Sequence, residues 1–259
     1  MKSNGLKINR DIDDELSQRN CDEHGPYSAK VINLLGREIT TKCPACDAME
    51  LSRDADRKKK IDADEKRIKF ERAMGRACIP KRFAYKTFNE YESTTQEQKR
   101  ALAIAQKYAS CFDDRLSQGG GLVFCGSPGT GKTHLAASIC TSVITAGRSA
   151  VFMSIIQAVR SVKATYARDS QISEAEAIKR LVGPDLLVLD EIGVQFGTKA
   201  EEIITFEIIN GRYDAMKSTI LISNLSEVEL GEFIGIRILD RMKEGGGAVV
   251  PFTWESHRK

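Results

Sequence analysis

The stretch Gly126-Ser127-Pro128-Gly129-Thr130-Gly131-Lys132-Thr133 decides the reading of this chain. It follows an apolar run, Leu122-Val123-Phe124-Cys125, and opens an amphipathic segment that runs from His134 to Ile144. A buried strand, a glycine-rich turn and a helix in that order form the setting in which this spacing holds a triphosphate. The glycines let successive N–H groups turn inward, and the helix N-terminus adds its own N–H groups and the positive end of its dipole. Lys132 neutralises β- and γ-phosphate charge, and the Thr133 hydroxyl is a ligand for Mg²⁺. All eight residues of the loop, with His134 after them, are candidate ATP contacts.

A second apolar run, Leu186–Leu189, ends in Asp190-Glu191. Ligands of open α/β sheets bind beyond the carboxyl ends of the strands, so this pair belongs beside the phosphates. Asp190 is expected in the Mg²⁺ shell and Glu191 as the general base for the attacking water. A third run, Thr219–Ser223, ends in Asn224. Asn224 either orients the water or touches the γ-phosphate, or it caps the following helix together with Ser223 and Ser226.

Outward from these motifs the pattern alternates. Apolar runs predict strands at 121–125, 150–154, 185–189, 219–223 and 248–252, with helices at 97–113, 132–146, 155–167, 173–181, 200–215 and 235–243. Alternation of this kind predicts a parallel sheet covered on both faces. Cys78, Cys111, Cys125 and Cys140 stand among apolar neighbours and read as small core residues. In the stretch IIQAVRSVKATYAR, residues 155–168, Arg160, Lys163, Tyr166 and Arg168 could meet single-stranded DNA. The residues alone favour an ordinary amphipathic helix with Ile156, Val159, Val162 and Tyr166 inward.

Residues 51–76 are highly charged, with acid-before-base pairs at Asp56/Lys60, Asp62/Lys66 and Glu65/Lys69, which predicts a solvated helical linker ended by Ile79-Pro80. Before it, Cys21-x₂-His24 and Cys43-Pro-Ala-Cys46 offer four metal ligands in two close pairs separated by 18 residues. That spacing suits a structural Zn²⁺ knuckle, and residues 1–50 hold too little apolar material for a core without it. DNA contact by this knuckle, through Arg37 and Lys42, is an alternative use.

Taken together, GSPGTGKTHLAASIC, LLVLDEIGVQ, ILISNLS, GIRILDRM and PFTWESHRK, in this order, resemble the DnaC-type replicative helicase loaders. These are AAA+ ATPases close to the initiator DnaA and the IstB transposition helpers. The resemblance covers roughly residues 78–259, and Arg76–Phe83 with Thr87–Tyr91 resembles the leading segment of the family. It implies a P-loop AAA+ three-layer sandwich with a five-stranded parallel sheet over 77–259. With 18 residues after Arg241, no C-terminal lid is expected. It implies Asn224 as a sensor and Arg237, or Arg241 one turn later, as the arginine that reaches a neighbouring copy's nucleotide. It further implies slow, assembly-stimulated ATP hydrolysis, self-association through the ATP site and binding of single-stranded DNA. By analogy the N-terminal residues grip a DnaB-type helicase. The alternative is an IstB-like helper that binds duplex DNA.

Composition is compatible with this. The 259 residues are 41% apolar, and 39 basic against 36 acidic residues give a net charge of +3, which permits nucleic-acid contact without demanding it. No run of eighteen apolar residues and no signal-like N-terminus is present, so a cytoplasmic protein with reduced cysteines and no membrane partner is expected.

Overall fold

The computed structural model describes residues 15–34, 37–193 and 198–257. Contacts divide the chain into two compact units, Met1–Arg67 and Ile68–Lys259.

In the first unit, strands β1 (Glu15–Cys21), β2 (Gly25–Leu34) and β3 (Arg37–Thr40) form an antiparallel sheet in that order. The β1–β2 turn is closed by Cys21 opposite Gly25, which sits at φ +77°. Ala29 and Cys43 are the only buried residues among those described here. Helix α1 (Pro44–Ala77) starts directly after Cys43 and is longer than the linker expected at 51–76. Proline is favoured at a first helical position, where no N–H partner is needed, and Pro44 opens the helix. Beyond the division at Arg67, its residues Phe70, Ala73, Met74 and Ala77 belong to the core of the second unit. The helix stops at Cys78, whose φ of +56° leaves the helical region.

The second unit runs through α2 (Gln96–Ser110), α3 (Phe112–Gln118), β4 (Leu122–Gly126), α4 (Lys132–Thr145), β5 (Ala150–Ser154), α5 (Ile155–Lys163), α6 (Glu174–Val182), β6 (Leu186–Ile192), α7 (Lys199–Asp214), β7 (Ser218–Ser223), α8 (Glu227–Ile234), α9 (Ile236–Lys243) and β8 (Ala248–Phe252). The strands form one parallel sheet in the order β5-β6-β7-β4-β8. Successive side chains of a strand face opposite sides, and here each side is buried. Leu122, Phe124, Leu186, Val188, Ile220 and Ile222 enter one apolar cluster with α2 and α4. Val123, Cys125, Leu187, Leu189 and Leu221 enter another with α5, α6, α7 and α9. The result is the expected three-layer sandwich with a five-stranded parallel sheet.

Several local expectations are corrected. The helix expected at 97–113 breaks at Cys111, and that at 155–167 ends at Lys163 in a 3₁₀ turn, Ala164–Tyr166. Tyr166 is therefore exposed, its hydroxyl donating to Glu174 Oε1 at 2.7 Å, and does not point inward. Cys125 and Cys140 are buried, but Cys78 is exposed and Cys111 only partly covered, because both sit where a helix stops. No described helix is long and apolar enough to cross a membrane.

Candidate functional site

The phosphate loop connects β4 to α4. Gly126 at φ +117° lies so close to β8 that a Cβ would meet Phe252 O at 2.4 Å. Gly131 at φ +95° faces Tyr91, whose ring carbon would lie 2.6 Å from an added Cβ. Larger residues fit neither place. Lys132 is buried, and its ammonium donates to Gly126 O at 2.7 Å and Ser127 O at 2.6 Å. The Thr133 hydroxyl donates to Asp190 Oδ2 at 3.1 Å, past the end of β7, which lies between β4 and β6.

At the end of β6 the register slips between Leu189 and Ile192, and Glu191 adopts φ +63°. The Glu191 N–H donates to Asp190 Oδ1 at 2.7 Å. Burial raises the pKa of Asp190, opposed by that N–H and by the Thr133 hydroxyl. A half-buried carboxylate facing a hydroxyl is an oxygen donor set suited to a hard divalent cation, which would offset the cost of burying the charge. Thr133 and Asp190 therefore fit Mg²⁺.

A cleft of about 470 Å³ opens here. Pro128 to His134 line it together with Asp190, Glu191 and Asn224. Gly126 and Ser127, the first two residues of the loop, do not line the cleft, and their carbonyls accept from Lys132. His134 Nε2 donates to Thr87 O at 2.9 Å, which fixes its tautomer, while its ring meets Tyr91 edge-on. The α8 cap is Ser226, whose hydroxyl accepts from Glu229 N–H, so Asn224 is not the helix cap. Arg82, Phe83, Glu90, Tyr91, Glu92 and His257 also line the cleft and were given no site role by the sequence. Their signal was the family likeness of the leading segment and the tail.

Neither Arg237 nor Arg241 lines this cleft. Arg241 donates to Asn210 Oδ1 and stacks 4.8 Å over the Tyr213 ring. Arg237 is exposed on the first turn of α9 and makes no hydrogen bond or ion pair to a described residue. Arg258 of the tail motif, and Val194 and Gln195 after the acidic pair, lie outside the described residues.

In the first unit, Cys21, His24, Cys43 and Cys46 bring their ligand atoms within 4.8 Å of one another. Cys21 Sγ lies 3.5 Å from Cys46 Sγ and 3.6 Å from His24 Nδ1, and Cys46 Sγ lies 3.3 Å from that nitrogen. A tetrahedron with metal–sulfur bonds of about 2.3 Å has edges of about 3.8 Å, so these separations fit a Zn²⁺ shell. The Glu23 N–H and the His24 side chain pull the Cys21 thiol down to about 6, while the Cys21 sulfur pushes Cys46 up to about 12. The turn after β1 supplies one pair, and the start of α1 supplies the other.

The family model of IstB-like ATP binding proteins matches residues 54–259. The replicative helicase loader DnaC of Escherichia coli K12 is 32% identical over 211 residues, spanning 82% of this chain and 84% of its own. The crystal structure of the DnaC helicase loader shares the fold at a TM-score of 0.59 and 23% identity, over 67% of this chain and 100% of that one. The replication initiator DnaA bound to AMPPCP and single-stranded DNA does so at 0.56 and 20% identity, over 69% of this chain and 52% of that one. A P-loop sandwich with these motifs, matched along most of its length by such relatives, belongs to the IstB-like ATP-binding family of AAA+ proteins, in its DnaC-type helicase-loader branch.

Proposed function

We propose that this chain is an ATP-dependent loader that binds a DnaB-type replicative helicase and sets it on single-stranded DNA. One observation carries the reading. Lys132, Thr133, Asp190, Glu191 and Asn224 converge on a single cleft, in a chain 32% identical to a helicase loader over 82% of its length.

The loop N–H groups and Lys132 bind the phosphates of ATP, and Asp190 with Thr133 holds the metal. Mg²⁺, when bound, neutralises charge that develops on the β- and γ-phosphate oxygens. Glu191 orients and deprotonates a water in line with the γ-phosphate, and Asn224 positions it. Arg237 of a second copy reaches the cleft and stabilises the transition state, so hydrolysis is slow until copies assemble. The zinc-held first unit grips the helicase, by analogy with the loaders. The IstB-like alternative, a helper that binds duplex DNA, has the description of the family model in its favour.

Size-exclusion chromatography with a DnaB-type helicase of the same host tests the reading. With ATP and Mg²⁺ a joint peak is expected, and without nucleotide, or in Lys132→Ala, a weaker one. Absence of any complex, with preference for duplex over single-stranded DNA, favours the transposition helper instead.

A further inference from the structure

Past β8 the chain turns back along the phosphate loop. The Ser127 N–H donates to Phe252 O at 2.9 Å, and the His257 N–H donates to Gly129 O at 3.0 Å. Between them the Trp254 indole Nε1–H donates to Thr130 O at 3.0 Å. The Tyr91 hydroxyl donates to the same carbonyl at 3.3 Å. Two consecutive loop carbonyls are thus held by one short segment. The segment is itself anchored. The Trp254 ring packs 4.7 Å from that of Phe252, which lies in the core. The His257 ring meets Gln98 Nε2 at 3.3 Å. Gln98 Oε1 already accepts from the N–H groups of Thr94 and Thr95, so its amide nitrogen is the donor and His257 Nε2 the acceptor.

A trans peptide carries its C=O and its N–H on opposite sides. The carbonyl of Thr130, taken by Trp254 and Tyr91, therefore turns the N–H of Gly131 the other way. Gly131 is the last residue before α4, whose first-turn N–H groups have no partner within the helix and form the anion end of the site. We propose that the segment Phe252–His257 is a clasp that sets the orientation of the phosphate-loop peptides. In it Trp254, through its side chain, and His257, through its backbone, are positioning residues for nucleotide binding. This rests on the reading of the cleft as an ATP site.

Trp254 is the sole tryptophan of the chain, which makes the clasp directly observable. Hydrogen bonds on the two ends of a peptide polarise one another. A phosphate on the Gly131 N–H strengthens Thr130 O as an acceptor, so the single indole N–H resonance moves downfield when ATP and Mg²⁺ saturate the full chain. Trp254→Phe keeps an aromatic ring beside Phe252 and removes the indole N–H together with part of the packed ring system. Its nucleotide Kd, by calorimetry at a temperature where the variant is fully folded, is expected to rise about 3- to 10-fold, the size of one neutral hydrogen bond, while the lost packing on Phe252 lowers Tm by a few degrees. His257→Pro removes the other donor and is expected to act alike, while His257→Ala, which keeps the N–H, has a smaller effect. Trp254→Phe combined with Tyr91→Phe exceeds the sum of the two, because it alone strips Thr130 O of both donors. Wild-type affinity in Trp254→Phe and His257→Pro, or an indole resonance unmoved at saturation, would overturn the clasp. A wild-type chain that binds no ATP would instead overturn the reading of the cleft.

Discussion

Removing metal from the Cys21–His24–Cys43–Cys46 cluster is expected to unfold the first unit and spare the second. Among the described residues up to Arg67, only Ala29 and Cys43 are buried. Burial contributes about 1 kcal/mol for each group of that size. Three short strands with that little behind them do not hold in water. Structural zinc contributes roughly 10–16 kcal/mol of apparent binding energy in comparable small modules at neutral pH. The metal term therefore exceeds the apolar term by several-fold. Zinc analysis of the purified chain should give one ion per chain. After treatment with a strong chelator, hydrogen exchange should lose protection across β1, β2 and β3, while the amides of β4 to β8 keep theirs. Cys46→Ser should reproduce the loss without a chelator. Strands that stay protected in the metal-free chain would refute the reasoning, because nothing else among the described residues of this unit is positioned to hold them.

Glu191→Gln should leave ATP affinity within about 3-fold and lower turnover by about 10²–10⁴, the usual worth of a general base, measured by phosphate release. Glu191→Gly should lower turnover likewise but melt about 2–4 °C above Glu191→Gln, since it alone relieves roughly 1 kcal/mol of left-handed strain at φ +63°. Arg237→Ala should lower assembly-stimulated turnover by about 10³ or more with ATP affinity unchanged. Arg241→Ala, which loses Asn210 and Tyr213, should show mainly as about 1 kcal/mol of lost stability in a thermal melt. Arg212 is fully buried and donates to the carbonyls of Leu181, Val182, Pro184, Asp185 and Ser218. Burial lowers its pKa to about 9, so it stays charged at neutral pH. Arg212→Met should cost about 3–5 kcal/mol in denaturant unfolding, because the carbonyls at the end of α6 lose their donor.

The central sheet was legible because a strand buried on both faces has to be apolar throughout, and Val123, Val188 and Ile220 announce theirs. The loop and the acidic pair were legible because polar residues directly after such runs stand at the sheet edge. The first unit was legible only as ligands. In β2 Tyr27, Ala29 and Val31 alternate with Ser28 and Lys30, but the run is short and only Ala29 is fully buried, while β1 and β3 carry no such pattern. Tyr166 kept its helical phase on paper, but the helix ends at Lys163 and the phase is lost. The remaining lining of the cleft was hidden for another reason. Arg82 to Glu92 carry no regular periodicity, and the contact between His257 and Gly129 joins residues that only the β4–β8 pairing brings together.

The acidic pair carries a further lesson about strand geometry. In a regular strand Asp190 and Glu191 would face opposite sides of the sheet, and only one could reach the phosphates. The slipped register between Leu189 and Ile192 and the positive φ of Glu191 break that alternation. Both carboxylates then line the same cleft, one deep enough to hold a metal beside Thr133 and the other exposed to water. The strain sits at the one residue whose proposed task needs it, and β6 tolerates it because Leu186 to Leu189 are fully buried and paired on both edges. Two adjacent residues are given different environments, and with them different proposed tasks, by a single irregularity of the backbone.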